Sequence, residues 1–299
     1  MIFTRAIVAR LTLLGALRFF AFFLLVFFAA GRLYSVTHAC PVEQPSWQET
    51  YDRQLGGIRN IDAAEAFVRG RLPANASQTQ IATAIDSFVR SRFYHHYSEN
   101  RFCDADWLAR IAGIFWSRLD HPVAADGILK HPDAYCSQQT LVFNALAERF
   151  GLHYAYVRFG VIPGAKYGGI HMTPAVLVDG KWRMYDPDLE INDGSIPLGS
   201  VLDGTGLQSA YNGVHLGQSI DLVGALREQA RKHRIDVDSF DRYRAAHGAI
   251  ATAVLLWLSK HGWAAFLILW LALTAIEYRG RLSALARRSE PAGSILSPG

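Results

Sequence analysis

Residues 133–152 read DAYCSQQTLVFNALAERFGL. A short loop delivers Cys136 to the first turn of a helix, which the apolar spacing carries to about Phe150. Gly151 stops it, because glycine takes the left-handed conformation that ends helices without a Cβ clash. A thiol at a helix start sits beside unpaired backbone N–H groups and the positive end of the helix dipole. Both favour the thiolate, the nucleophilic form of cysteine. Most free cysteines are instead small buried hydrophobes. Cys136 therefore acquires chemistry only in the company of a base and of a third group that orients the base.

Downstream of Gly151 the periodicity changes from helical to alternating. HYAYVRFG from 153 reads as a strand, and 161–169, with Pro163, Gly164, Gly168 and Gly169, as a loop. HMTPAVLV from 171, the Asp179-Gly180 turn and KWRMYD from 181 form a hairpin signal. Pro174 implies that the first hairpin strand is an edge or carries a bulge. His171 opens this hairpin and Asp186 closes it, so the two are expected as cross-strand neighbours. Asp188, past Pro187, is an alternative orienting acid, and His131 and His153 are alternative bases. Trp182 is expected in the core beneath the hairpin. Trp116 and the backbone N–H of Cys136 are candidate oxyanion donors.

Upstream, QTQIATAIDSFVRSRFYHHY after Ser77 is an amphipathic helix expected to pack beneath the Cys136 helix. Its adjacent His95 and His96 would point about 100° apart, with no Cys or carboxylate at ligand spacing. No metal or cofactor is expected there or elsewhere. Residues 187–217, rich in Gly and Asp, read as a long surface excursion. The basic face of Arg227, Arg231, Lys232 and Arg234 reads as solvated.

Ala134-Tyr135-Cys136 with its RFGL exit, Gly169-Ile170-His171 opening a strand, and VDGKWRMYDPD containing Asp186 and Pro187 together resemble the transglutaminase-like superfamily. That superfamily shares its core with papain-like proteases. The resemblance spans residues 77–190 and implies an α+β fold in which the nucleophile helix packs on an antiparallel sheet. It further implies Cys136 as nucleophile, His171 as general base and acid, and Asp186 as orienting carboxylate. The implied reaction is acyl transfer on a peptide or amide-containing substrate, by hydrolysis or transamidation. Thr173 and Ala175 depart from the aromatic and acidic residues that members often carry after the histidine, so the substrate class is not inherited. Two rival readings are a catalytically inactive domain that binds peptide or envelope polymer, and a membrane scaffold with a vestigial triad.

The chain carries a net +4, of which residues 1–31 supply +3 (Arg5, Arg10, Arg18) and residues 279–299 another +3 (four arginines against Glu290). Residues 32–278 are thus at −2 and offer no excess of positive charge to nucleic acid. Residues 11–31 and 254–276 are apolar runs long enough to cross a bilayer, the second interrupted near its start by Ser259, Lys260 and His261. The first is read as a retained anchor rather than a signal peptide, the cleavage context at Thr37-His38-Ala39 being poor. Flanking arginines predict cytoplasmic termini and an extracytoplasmic middle, where Cys40 and Cys103 are expected to pair while Cys136 stays free. The expected organisation is an anchor over 1–31, a connector over 32–76, a catalytic core over 77–190 and its extension over 191–248. A second transmembrane helix over 249–278 and a basic tail over 279–299 complete it.

Overall fold

The computed structural model describes residues 2–38, 50–96, 99–104, 106–161, 170–189, 191, 194–211, 222–232, 235–238 and 249–289. In chain order the helices are α1 (Ile2–Thr37), α2 (Ile61–Arg69), α3 (Gln78–Arg92), α4 (Trp107–Phe115), α5 (Ala125–Ile128) and α6 (Cys136–Arg149). They continue with α7 (Leu198–Leu202), α8 (Leu207–Tyr211), α9 (Leu222–Arg231) and α10 (Ala249–Ser289). The strands are β1 (His153–Val161), β2 (Ile170–Val178), β3 (Lys181–Met184), β4 (Ile196–Pro197) and β5 (Ile235–Asp238). The chain divides into two compact units. One is Met1–Cys40, Arg101–Leu108 and Val254–Gly299; the other is Pro41–Asn100 and Ala109–Ala253.

The second unit is α+β. Its sheet runs β4-β3-β2-β1-β5 with antiparallel neighbours throughout. Ser77 starts α3 by a reciprocal cap: its Oγ accepts from Gln80 N–H at 3.2 Å, and Gln80 Oε1 accepts from Ser77 N–H at 2.9 Å. The helix ends at Arg92, short of the two histidines that the sequence had placed on it. Tyr94 instead pairs with the loop ahead of Cys136, its N–H donating to Pro132 O at 3.2 Å and its carbonyl accepting from Ala134 N–H at 3.0 Å. The helical periodicity was real up to Arg92. Beyond it, pairing with another segment satisfied the backbone better than another turn.

Two expectations about the hairpin need correction, the edge position of its first strand and the burial of Trp182. β2 is the central strand of the sheet, not an edge. Pro174 is tolerated because its carbonyl accepts from Tyr185 N–H at 3.0 Å, one residue past the last ladder pair, Ala175 with Met184. The donor that proline lacks would have continued the β2–β3 ladder, so Pro174 lets the chain leave the sheet just before Asp186. The ladder irregularity lies in the β1–β2 register, between Arg158 and Val161. Trp182 stands 38% exposed, and on its side of the hairpin Met184 and Tyr185 are the buried hydrophobic residues.

Both faces of the sheet are covered. On one, Met172, Val176 and Val178 pack with Ile85, Val89, Val142 and Phe143 of α3 and α6. On the other, Val157, Phe159, Ala175 and Met184 pack with Leu189, Ile191, Ile196, Leu198, Val201, Leu207 and Tyr211. Among its described residues, the segment read as a surface excursion is therefore a second core layer. Its apolar residues are spaced too irregularly for either period to register, and only the sheet face brings them together.

In the first unit α1 and α10 pair antiparallel: Phe28 stacks on Phe266 at 5.1 Å, Phe22 meets Trp270 at 5.9 Å, and Arg18 reaches Glu277 at 2.6 Å. A Cβ on Gly262 would fall 2.5 Å from Phe28 Cδ1, so glycine permits the close approach. Within these helices Leu13–Thr37 and Ile250–Ser283 are long and apolar enough to cross a membrane. Ser259, which looked like an interruption of the second span, is 1% exposed: its Oγ accepts from Leu108 N–H at 3.2 Å, and its carbonyl from Trp107 Nε1 at 3.3 Å. Cys103, between α1 and α10 in sequence, is disulfide-bonded, and Cys136 is in no disulfide. Cys40, its expected partner, lies outside the described residues.

Glu277 also holds Arg281 at 2.5 Å and is only 8% exposed at its side chain. In an apolar medium, losing one charge of such a pair costs more than losing both. Glu277→Leu should weaken the helix pairing by about 1–2 kcal/mol. Adding Arg18→Leu should restore part of that loss, as read by thermal unfolding of the full chain in detergent; a double variant no better than the single would refute the coupling.

Candidate active site

Cys136 opens α6 at 8% exposure, ahead of a helix whose first eight residues are all buried except for that sliver. Gln138 Oε1 accepts from Tyr135 N–H at 3.3 Å, tying down the helix start. Thr140 Oγ1 donates within reach of both Cys136 O (2.8 Å) and Met172 O (3.1 Å), so the first turn of α6 is clamped to β2 beside His171. A loop-borne thiol thereby acquires the rigidity of two packed elements.

His171 is the second residue of β2. It stacks on Phe159 at 5.9 Å, a member of the core on one face of the sheet, whereas Cys136 belongs to the core on the other. The two layers meet at the end of β2, and there the Cys136 Sγ lies within 4.8 Å of a ring nitrogen of the imidazole. The ring's Nε2 lies 2.7 Å from Asp186 Oδ2. With Nε2 occupied, Nδ1 is the nitrogen left for sulfur. The side chains of Cys136, His171 and Asp186, separated along the chain, are thus brought together, the ring bonded to the carboxylate and within 4.8 Å of the sulfur.

The relation of His171 to Asp186 is not the direct cross-strand pairing that turn symmetry suggested. The observed ladder pairs Val178 with Lys181 and Ala175 with Met184. Continued, it would set Asp188 opposite His171 and Asp186 on the diagonal. Because residues two apart share a face, both acids approach the ring. Asp186 makes the hydrogen bond. Asp188 lies with its carboxylate, Cys136 Sγ and a His171 ring nitrogen all within 4.8 Å of one another.

Asp186 is fully buried and saturated. Oδ1 accepts from the backbone N–H of Asp188 (3.2 Å) and Leu189 (3.1 Å), and Oδ2 accepts from His171 and from Tyr211 O–H at 2.6 Å. Burial is the largest influence on His171 and disfavours the imidazolium. The charge and hydrogen bond of Asp186, with the Cys136 thiol, outweigh it and raise His171 well above its ordinary 6.5. Burial, then the Asp186 charge, raises Tyr211 well above 10, which keeps its phenol a donor.

Several side chains of this site were passed over or discounted in the sequence. Asp188 Oδ1 accepts from Gln139 Nε2 at 2.9 Å and contacts His95 Nδ1 at 2.5 Å. Gln139 is visible in principle, lying one turn after Cys136 on the same helix face. His95 is not, because it became available only when α3 ended early. Tyr211 sits on the five-residue helix α8, for which no local signal exists. His153, an alternative base, is exposed opposite Leu177, at the far end of β2 from His171. His131 is 3% exposed and its carbonyl accepts from Arg92 at 3.0 Å. Trp116 is 67% exposed, and among the described residues no hydrogen bond or ring contact joins it to the site. His96 lies 3.5 Å from Asp133.

No family model matches the chain, and no curated protein matches it. A solved structure described as "Crystal structure of a TGase" aligns over 47% of this chain at 12% identity, with a TM-score of 0.30. The chain spans about a third of that protein's length, the alignment covering 33% of it.

Proposed function

We propose that the protein is a membrane-anchored, transglutaminase-like cysteine enzyme that performs acyl transfer. One observation carries this reading: a single imidazole has its Nε2 2.7 Å from Asp186 Oδ2 and a ring nitrogen within 4.8 Å of the Cys136 sulfur. In this reading His171 Nδ1 takes the thiol proton and Sγ attacks an amide or ester carbonyl. The tetrahedral intermediate collapses as the ring returns the proton to the departing amine or alcohol, leaving a thioester on Cys136. Water or a second amine then attacks the thioester, giving hydrolysis or transamidation, and the thiol is regenerated. Asp186 holds the ring in the required tautomer and stabilises its charge.

The anchoring half of the reading is supported by the two apolar helices, whose antiparallel pairing puts the start of the first and the close of the second on the same side. Arginines flank both spans on that side, the pattern of cytoplasmic termini. A disulfide at Cys103 accords with an oxidising compartment for the middle of the chain. The substrate would then be a peptide or other amide-containing molecule reached outside the cytoplasm.

A thiol-directed acyl probe tests the chemistry. The folded protein should be labelled at Cys136, with labelling abolished in Cys136→Ala and slowed by about 10²–10⁴ in His171→Ala. Labelling of Cys136 only after denaturation, or equal rates with and without His171, would defeat the enzyme reading.

A further inference from the structure

Asp188 has a role that the triad does not use. Its side chain is 2% exposed, its residual exposure being on the backbone. Oδ1 is engaged by His95 and Gln139, while Oδ2 is buried without any hydrogen-bond partner. A buried carboxylate oxygen left unpaired is costly, and such groups are normally met by a donor or a cation. Its surroundings are a thiol and an imidazole, with all three ligand atoms within 4.8 Å of one another.

We propose that Cys136 Sγ, His171 Nδ1 and Asp188 Oδ2 form a zinc-binding site that reversibly caps the thiol. Sulfur, imidazole nitrogen and carboxylate oxygen are the donor types that zinc prefers, and three protein ligands leave a fourth tetrahedral position for water. Zn–S of about 2.3 Å and Zn–N of about 2.0–2.1 Å put tetrahedral ligand atoms roughly 3.3–3.6 Å apart, a contraction of about an ångström from the outer limit seen here. The outer shell is already in place. His171 is held through Nε2 by Asp186 at 2.7 Å, the carboxylate–histidine arrangement of zinc sites. Asp188 is held through Oδ1 by His95 and Gln139. On binding, the thiol proton and any proton on Nδ1 pass to solvent, and no electron moves. A bound ion would occupy the sulfur lone pair and the nitrogen that the acyl-transfer reading needs, so the two states exclude each other.

The test uses the full chain in detergent with zinc sulfate and reads alkylation of Cys136 by iodoacetamide, so no turnover enters. Zinc should slow wild-type alkylation by at least about tenfold, and magnesium should not. Asp188→Asn keeps an oxygen for His95 and Gln139 but removes the free ligand, and should lose most of the protection. His95→Ala should weaken zinc binding by about tenfold or more. Unprotected wild-type protein, or Asp188→Asn protected as well as wild type, would overturn the proposal. Should Asp188→Asn fail to fold, cobalt titration decides: a sulfur-to-cobalt charge-transfer band in wild type and none in Cys136→Ser supports the site, and its absence from wild type overturns it. Fast alkylation of Cys136 without zinc protection would sink the metal site while leaving the acyl-transfer reading intact.

Discussion

Asp186→Ala should destabilise the unit that carries the sheet by about 3–5 kcal/mol, the range for removing one partner of a buried charged pair. The size follows from what is orphaned: His171 Nε2, the Tyr211 hydroxyl and the backbone N–H groups of Asp188 and Leu189 all lose their acceptor at once. Asp186→Asn should separate structure from chemistry. Its Oδ1 still serves the two backbone donors, and Tyr211 can rotate to accept from the new amide. The imidazole cannot adapt without harm. An amide N–H facing Nε2 forces the ring proton onto Nδ1, where it meets the thiol and can no longer receive a proton from it. On the acyl-transfer reading the rate should fall by about four orders of magnitude while the fold survives. An Asn variant that turns over normally would show that Asp186 is only structural.

The same pair sets a pH signature. His171 is raised above its unfolded value, so the stability it contributes is fully present below about pH 6.5 and is lost as pH climbs through the raised folded value. Wild-type protein should therefore shed stability on the alkaline side, measured by denaturant unfolding across pH, and Asp186→Asn should lack that component. Equal alkaline slopes in the two proteins would mean that the Asp186 charge does not hold the imidazolium.

Arg92→Ala should cost about 3 kcal/mol or more, and it should disturb Cys136 without touching it. Arg92 is 1% exposed. Its guanidinium donates to Ile58 O at 3.1 Å, His131 O at 3.0 Å and Leu129 O at 2.5 Å. Burial lowers it to about 10, which still leaves it charged at neutral pH. Two of the three carbonyls belong to the loop that runs into Asp133 and Cys136, so losing the fork leaves them buried and unpaired and frees the loop. Arg92→Lys should rescue only part, since a single ammonium cannot span three carbonyls as a planar fork does. A melting temperature lowered by roughly 6–12 °C in Arg92→Ala, with faster proteolysis around residues 129–133, is the expected result. An unchanged melt would show that the loop is held by its other contacts, such as the Tyr94 pairing.

Much of this arrangement was legible in one dimension wherever a local rule applied. Cys136 at a helix start, Gly151 at its end with φ 71°, and the Asp179-Gly180 turn with both φ values positive depend on neighbours within a few residues. Apolar runs of span length likewise declare themselves, because bilayer thickness is a length that composition alone can match. The hairpin brought His171 and Asp186 into the same neighbourhood on parity alone, although it missed the register by a step of two.

What stayed hidden depended on partners distant in sequence. His95 reaches Asp188 because α3 yields to a strand-like pairing at Tyr94. Tyr211 reaches Asp186 because irregular apolar residues from 189 to 211 find the second face of the sheet. Glu277 finds Arg18 only once two helices lie side by side. Local periodicity reports which backbone conformation a segment prefers, and so the chain on its own decided the helix, the turn and the order of sulfur, imidazole and carboxylate. Which buried donor meets which acceptor is settled by closing a complete account of polar groups across the whole fold, and that closure exists only in three dimensions.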